Sequence, residues 1–380
     1  MRSWSIPVGR LFGIEIRIHL TFAFLLFFVW STESASQDTT AALRGLGLVG
    51  IIFGSVVLHE LGHALVARGS GIPAKGIILL PIGGITLLDE GHAVPDPQNA
   101  WKRDIRIAVA GPLVNLAIAG IGAVILPAVV PGFQLMRHPL LHSSALLRSI
   151  VWANVYLGLF NLLPAYPMDG GRALRAWFSR SIDIVHATQR AVRIGQVFST
   201  LFIMVGILIS MHAGTRWDGY WLMMVGFVLF MGAQLEERSA MFQSVLRSVH
   251  LEEVMLTDFA TLSPADTLED ALEKAVHTLQ DDFPVVRGSD MVGVISKQKI
   301  LEALRTEGNS YVQAAMNRIF DVAAKGESLA SAFRKLSAHN LSIILVVDEQ
   351  DLIGIVTLQN LMHSMALLAE SRKLRREAME

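Results

Sequence analysis

The sequence predicts a multi-pass α-helical membrane protein with six transmembrane helices, followed by a smaller cytoplasmic α/β domain. Three observations predict it. Of 380 residues, 52% are hydrophobic and only 17% are charged, where a soluble chain carries about 25%. The charges are unevenly spread: residues 1–240 hold 18 Lys/Arg and 13 Asp/Glu, whereas residues 241–380 hold 14 and 20, so the two parts face different solvents. Finally, the chain from residue 254 onward repeats itself at a constant offset of 61 residues.

A spanning helix needs about 20 mostly apolar residues. Six stretches approach this, near residues 18–31, 45–67, 107–130, 146–163, 194–212 and 219–235. The first is short and runs into Ser34-Ala35-Ser36-Gln37, as a cleaved signal peptide would. The long polar lead containing Glu15 and Arg17 favours a retained helix. Orientation follows the Lys/Arg of the short connections. One side collects Arg2, Arg10, Arg68, Lys75, Lys102, Arg103, Arg106, Arg172, Arg175, Arg180, Arg190 and Arg193; the other has Arg44, Arg137, Arg148 and Arg216. The basic side is therefore cytoplasmic, and six crossings return the C-terminal part to it. No cysteine is present, which excludes disulfides and thiol nucleophiles and leaves His and carboxylates as metal ligands.

The second span carries His59-Glu60-Leu61-Gly62-His63. On a helix, residues four apart lie about 40° from each other on one face, so both imidazoles can reach one zinc ion. Glu60 lies about 100° round from His59, beside such an ion, where a carboxylate can accept a proton from water. Ionisable groups within a span are functional by default. Two histidines are one ligand short of a catalytic zinc site. The third candidate is Asp169, in Asn161-Leu162-Leu163-Pro164-Ala165-Tyr166-Pro167-Met168-Asp169-Gly170-Gly171, where the inward-running fourth span ends at the same leaflet as His59 and His63. Pro164 and Pro167 break the helix there, and irregular backbone at membrane depth needs surrounding protein or water. A loop in which Asp169 merely pairs with Arg172 is the bland alternative.

The two motifs together resemble the site-2 protease family of intramembrane zinc metalloproteases (peptidase family M50), over residues 1 to about 236. The resemblance implies that His59, His63 and Asp169 hold one Zn2+ per chain, and that Glu60 is the general base. It also implies six spans with a three-span catalytic core. Asn161 is read as a donor to the oxyanion of the tetrahedral intermediate, or as a partner for carbonyls freed by Pro164. Ala110-Gly111-Pro112-Leu113-Val114-Asn115 resembles a family element, in which Asn115 hydrogen-bonds near the site or Gly111 and Pro112 serve close packing. Pro81-Ile82-Gly83-Gly84-Ile85 reads as a hairpin, an edge for an extended substrate in the family or else a surface loop. His19 reads as interfacial, and His92 as part of a solvent-facing loop.

The repeat resembles a tandem pair of cystathionine-β-synthase (CBS) domains. The expected organisation is a membrane domain at 1–240, CBS copies at 245–306 and 307–366, and a charged tail at 367–380. Each copy reads as an amphipathic helix, Leu268 to Leu279 or Leu329 to Leu336, then two strands and another helix. Related pairs bind adenine nucleotides through a hydroxyl and an acid three residues on. Ser296 and Thr357 supply the hydroxyls, but Lys299 and Asn360 replace the acids, which weakens nucleotide sensing against a dimerisation or docking role. The expected partners are the lipid bilayer, transmembrane protein substrates and, through the pair, a second copy; nucleic acid is not expected. A CBS-gated transporter or channel is the rival reading, though outside the two motifs the spans hold almost no ionisable groups. A non-catalytic zinc-binding scaffold is a third, which leaves Glu60 without a purpose.

Overall fold

The structure is a computed structural model that describes residues 4–35, 38, 40–88, 99–211, 216–288, 290–339, 341–348, 351–357 and 360–361. His92 and the tail at 367–380 lie outside the described residues. Contacts divide the chain into two compact units, Met1–Arg238 and Ser239–Glu380.

The first unit opens with two strands, β1 (Ser5–Leu11) and β2 (Ile14–His19), before helices α1 (Phe22–Ser34) and α2 (Ala41–Gly69). Strands β3 (Ala74–Leu80) and β4 (Gly83–Leu88) follow as a hairpin. The four strands form one sheet in the order β1-β2-β3-β4, with β2 parallel to β3. Helices α3 (Ala100–Val129), α4 (Leu146–Asn161), α5 (Asp169–Phe178) and α6 (Ile184–Ser210) follow, and α7 (Arg216–Ser248) begins in this unit and ends in the next. The sheet corrects the reading of the N-terminal segment: the first candidate span, placed from residue 18, begins in β2, and its helix starts at Phe22. Strict alternation in Ile14-Glu15-Ile16-Arg17-Ile18-His19 is the pattern of a half-buried strand. Ile14 and Ile16 pack with Val56, Leu61, Ala64, Ile77 and Leu79, fastening the sheet to the second half of α2.

Among the described residues, four segments are long and apolar enough to cross a bilayer: α2, α3, α6 and Trp217–Ser244 of α7. Helices α1 and α4, with 13 and 16 residues, are shorter than the about 20 a crossing usually takes. These helices are apolar outward. Phe24, Phe27, Val124 and Val197 are about 70% exposed while Asn115, Asn154 and Ser149 are fully buried, the arrangement expected when the surrounding solvent is lipid.

The second unit carries the repeat. Its first copy has α8 (Leu268–Val276), the hairpin β5 (Asp282–Arg287) with β6 (Asp290–Ser296), and α9 (Lys297–Glu307). The second has α10 (Val312–Ala315), β7 (Asp321–Ala324), α11 (Leu329–His339), β8 (Ile343–Asp348) and β9 (Asp351–Thr357). The lead-in of each copy pairs with the body of the other. Leu256 bridges Ile355 and Asn317 bridges Val294; His250 bridges Ser328 and Tyr311 bridges Thr267. Within each couple, one bridge is the image of the other under the 61-residue offset. Met255 packs on Gly354 just as Met316 packs on Gly293. Val294, Ile343, Leu345 and Ile355 make the apolar seam between the copies.

Candidate metal centre

Helix α2 presents His59 and His63 one turn apart, both 6% exposed. Asp169 arrives from α5. Helix α4 ends at Asn161, the segment 162–168 turns, and α5 restarts on Asp169, whose acidic side chain stands in its first turn. The turn is close enough to touch α5: a Cβ on Gly170 would lie 2.3 Å from the carbonyl oxygen of Leu163. Only glycine allows the carboxylate to reach this depth.

The three side chains converge. His59 Nε2 lies 3.0 Å and His63 Nε2 lies 3.1 Å from Asp169 Oδ2, and the two Nε2 atoms are 3.1 Å apart. The other ring nitrogens are already engaged: His63 Nδ1 is 2.6 Å from the carbonyl oxygen of Ile107, and His59 Nδ1 is 2.5 Å from Asn115 Oδ1. Both Nδ1 atoms face acceptors and so carry the hydrogens, which leaves lone pairs on both Nε2 atoms. Two lone pairs and a carboxylate oxygen meeting at about 3 Å form a donor set that a cation between them would satisfy. A tetrahedral ion with bonds of about 2.0–2.1 Å separates its donors by about 3.3 Å, and His/carboxylate sets of this kind are zinc sites. The donor set fits the ion. Among the described residues, this is the one trio of His, Asp and Glu close enough to hold a metal.

The backbone of α3 forms one wall. A Cβ on Gly111 would stand 2.4 Å from His63 Nε2 and 2.7 Å from His59 Nε2, so the absent side chain is the space in which the ligands meet. Glu60 faces the hairpin instead: Thr86 Oγ1 donates to Glu60 Oε2 at 2.5 Å, and a Cβ on Gly84 would lie 2.5 Å from Glu60 Cγ. Arg172 Nη1 stands 4.0 Å from Asp169 Oδ1, so the arginine pairing and the histidine contacts coexist on different oxygens. Asn161 donates through Nδ2 to the carbonyl oxygen of Leu157 at 2.9 Å, one turn back in its own helix; its amide is not held toward the trio. His19 is bonded to Thr21.

Residues 47–143 and 134–206 match the model of peptidase family M50, and residues 251–306 and 312–367 match that of the CBS domain. Rip3 of Mycobacterium tuberculosis is 31% identical over 312 residues, which is 78% of this chain and 75% of that one. The chain belongs to peptidase family M50. The zinc metalloprotease MJ0392 of Methanocaldococcus jannaschii is 29% identical to this M50 chain over 98% of its length and 99% of the relative's. A solved site-2 protease from Methanocaldococcus jannaschii is 32% identical, covers 62% of this chain and 96% of that one, and superposes with a TM-score of 0.43. Family membership makes the M50 chain a zinc metalloprotease of the site-2 type carrying a tandem CBS pair.

Sequence reasoning brings His59, Glu60, His63, Asp169 and Asn115 into view. It misses Asn154 and Ser55, whose amide and hydroxyl continue the hydrogen bonding behind Asn115. A buried Asn in mid-span is the signal that points to such residues. Thr86 is missed too; it follows the glycine hairpin by two residues and shares the face of Gly84.

Proposed function

We infer that this protein is an intramembrane zinc endopeptidase that cuts membrane-spanning protein substrates near the cytoplasmic leaflet. One observation carries the reading: the buried convergence of two imidazole lone pairs and a carboxylate, with a second carboxylate beside it. His59, His63 and Asp169 would hold one zinc ion per chain. When bound, zinc supplies Lewis acidity, which polarises a carbonyl and acidifies water. Glu60 removes the proton from the attacking water and returns it to the leaving amine. Thr86 keeps Glu60 Oε2 hydrogen-bonded and so orients the other oxygen. Asn161 would have to leave Leu157 before it could donate to an oxyanion, so the reading rests on the other four residues.

β4 is an edge strand of its sheet, and its Gly84 and Thr86 touch Glu60. An extended substrate segment added to that edge would run beside the base. This favours substrates whose helix unwinds near the scissile bond, because a helical peptide has no free backbone groups to offer. The excess of Lys/Arg on one side supports six crossings with both termini and the CBS pair in the cytoplasm. In that arrangement α1 and α4 are short crossings served by local thinning of the bilayer.

The direct test is Glu60→Gln in the full chain, co-expressed with a single-span substrate. Zinc should remain and cleavage should disappear; persisting cleavage would reject the role given to Glu60. For the CBS pair, a docking or dimerisation role is favoured over nucleotide sensing. Lys299 pairs with Glu302 at 3.1 Å and has no acceptor to offer a ribose, and Asn360, whose Nδ2 donates to the carbonyl oxygen of Val254 at 2.8 Å, offers only a neutral amide oxygen in place of a carboxylate. ATP or AMP binding to the full chain at millimolar ligand would overturn that preference.

A further inference from the structure

The histidines of the metal centre are oriented by different means. His63 Nδ1 meets a backbone carbonyl, that of Ile107, which no substitution removes. His59 Nδ1 meets a side chain, and that side chain begins a chain of hydrogen bonds through three helices. Asn115 of α3 contacts His59 through Oδ1 at 2.5 Å and Asn154 of α4 through Nδ2 at 2.7 Å. Asn154 donates from Nδ2 to the carbonyl oxygen of Ile150 at 2.8 Å and to Ser55 Oγ at 2.9 Å. Ser55, back on α2 one turn before His59, donates to the carbonyl oxygen of Ile51 at 2.8 Å.

The polarity of this chain is forced from its far end. The Ile150 carbonyl only accepts, so the nitrogen of the Asn154 amide faces it. The oxygen of that amide is then turned to Asn115, which must answer with its own nitrogen. Asn115 accordingly turns its oxygen to His59, and Nδ1 of His59 is the donor. The lone pair of His59 is thereby aimed at His63 and Asp169. Asn115 and Asn154 are fully buried and Ser55 is 6% exposed, so water does not substitute for any link. Helix cohesion alone is the bland explanation of three buried polar residues, but it would not require one polarity ending on a metal ligand.

The geometry points to Asn154 and Ser55 as positioning residues for the zinc ligand His59, acting through Asn115. This rests on the metal-centre reading above and adds residues that lie beyond hydrogen-bond reach of the ion's site. Partners of this kind change metal affinity by about 10–100-fold when removed.

The experiment measures zinc retention by the purified full chain in detergent against a competing chelator, for Asn115→Leu, Asn115→Asp, Asn154→Leu and Ser55→Ala. Asn115→Leu and Asn154→Leu should each lose zinc at about 10-fold lower chelator concentration or less, with Ser55→Ala affected least. Asn115→Asp keeps an acceptor for His59 but loses the donor to Asn154, and should hold zinc better than Asn115→Leu. Because the residues act in series, Asn154→Leu should add little to Asn115→Leu. Ring ¹⁵N shifts of His59 in the metal-free chain give a second readout: Nδ1–H in the wild type, and a mixture of tautomers in Asn154→Leu, with His63 unchanged. Wild-type zinc retention in Asn154→Leu, full additivity of the double variant, or an unmoved His59 tautomer would overturn the proposal while leaving the metal centre intact. A wild-type chain that binds no zinc would instead remove the metal-centre reading and the relay with it.

Discussion

The two units of this chain are built by opposite rules. In Met1–Arg238, large apolar side chains such as Phe27 and Val124 point outward, while Asn115 and Asn154 are fully buried and His59 and Asp169 nearly so. In Ser239–Glu380, Phe283, Leu268, Val285 and Ile344 are sealed inside while Asp270, Lys299 and Glu302 face water. Lipid removes the hydrophobic incentive to bury apolar groups, so the interior of the first unit is free for polar chemistry. In the second unit the interior is the source of stability, and polar groups work as caps and surface pairs.

The contrast is most sharply broken at Gly111. A methyl group there would intrude on both Nε2 atoms, so Gly111→Ala should cost more than the about 10–100-fold in zinc affinity expected for an outer partner. Cleavage should fall with it, while the second unit stays folded. Metal analysis alongside hydrogen exchange across residues 254–361 would check both halves of that statement.

Phenylalanine truncation sharpens the comparison next. Phe283→Ala empties a fully buried position and should destabilise the second unit by about 3–5 kcal/mol. Phe27→Ala, 71% exposed on α1, should change stability within about 0.5 kcal/mol. Hydrogen exchange in the detergent-solubilised chain reads both.

Smaller effects belong to the polar devices of the second unit. Thr267 accepts from the backbone N–H of Asp270, and Asp270 accepts from that of Thr267; Thr267→Ala should cost about 1 kcal/mol, visible as faster exchange in α8. Asp282, fixed by a hydrogen bond from Ser342 Oγ at 2.6 Å, has its pKa pushed above the ordinary carboxylate value of 3.8 by burial. With a folded pKa above the unfolded one, the native state binds the proton more tightly. Asp282 therefore favours folding at low pH, and that contribution is lost as pH rises through the folded pKa. Asp282→Asn should flatten the dependence of second-unit stability on pH above 3.8, a small change checked by denaturant titrations at several pH values.

What could be read from the sequence follows the same division. Periodicity within one element was enough for His59 and His63, which share a helix face, and for the repeat, where residues 61 apart match. Alternation in β2 was equally local, though masked by the apolar run that follows it. Asn154 and Ser55 had no such signal, because their partners lie 39 and 99 positions away along the chain and only helix packing unites them. Asn161 was the reverse case: a motif position suggested a role at the site, whereas the side chain folds back on its own helix at Leu157. The exchanged lead-ins of the CBS copies were equally hidden, since a repeat fixes the offset and not which copy a segment completes.

Metal analysis of the purified full chain addresses the centre of this account most directly, comparing wild type with Asp169→Ala and Glu60→Gln. The expected result is one zinc per chain in the wild type and in Glu60→Gln, and none retained by Asp169→Ala. Zinc held as firmly by Asp169→Ala as by the wild type would contradict it, because the carboxylate that comes from α5 would then have no part in the site.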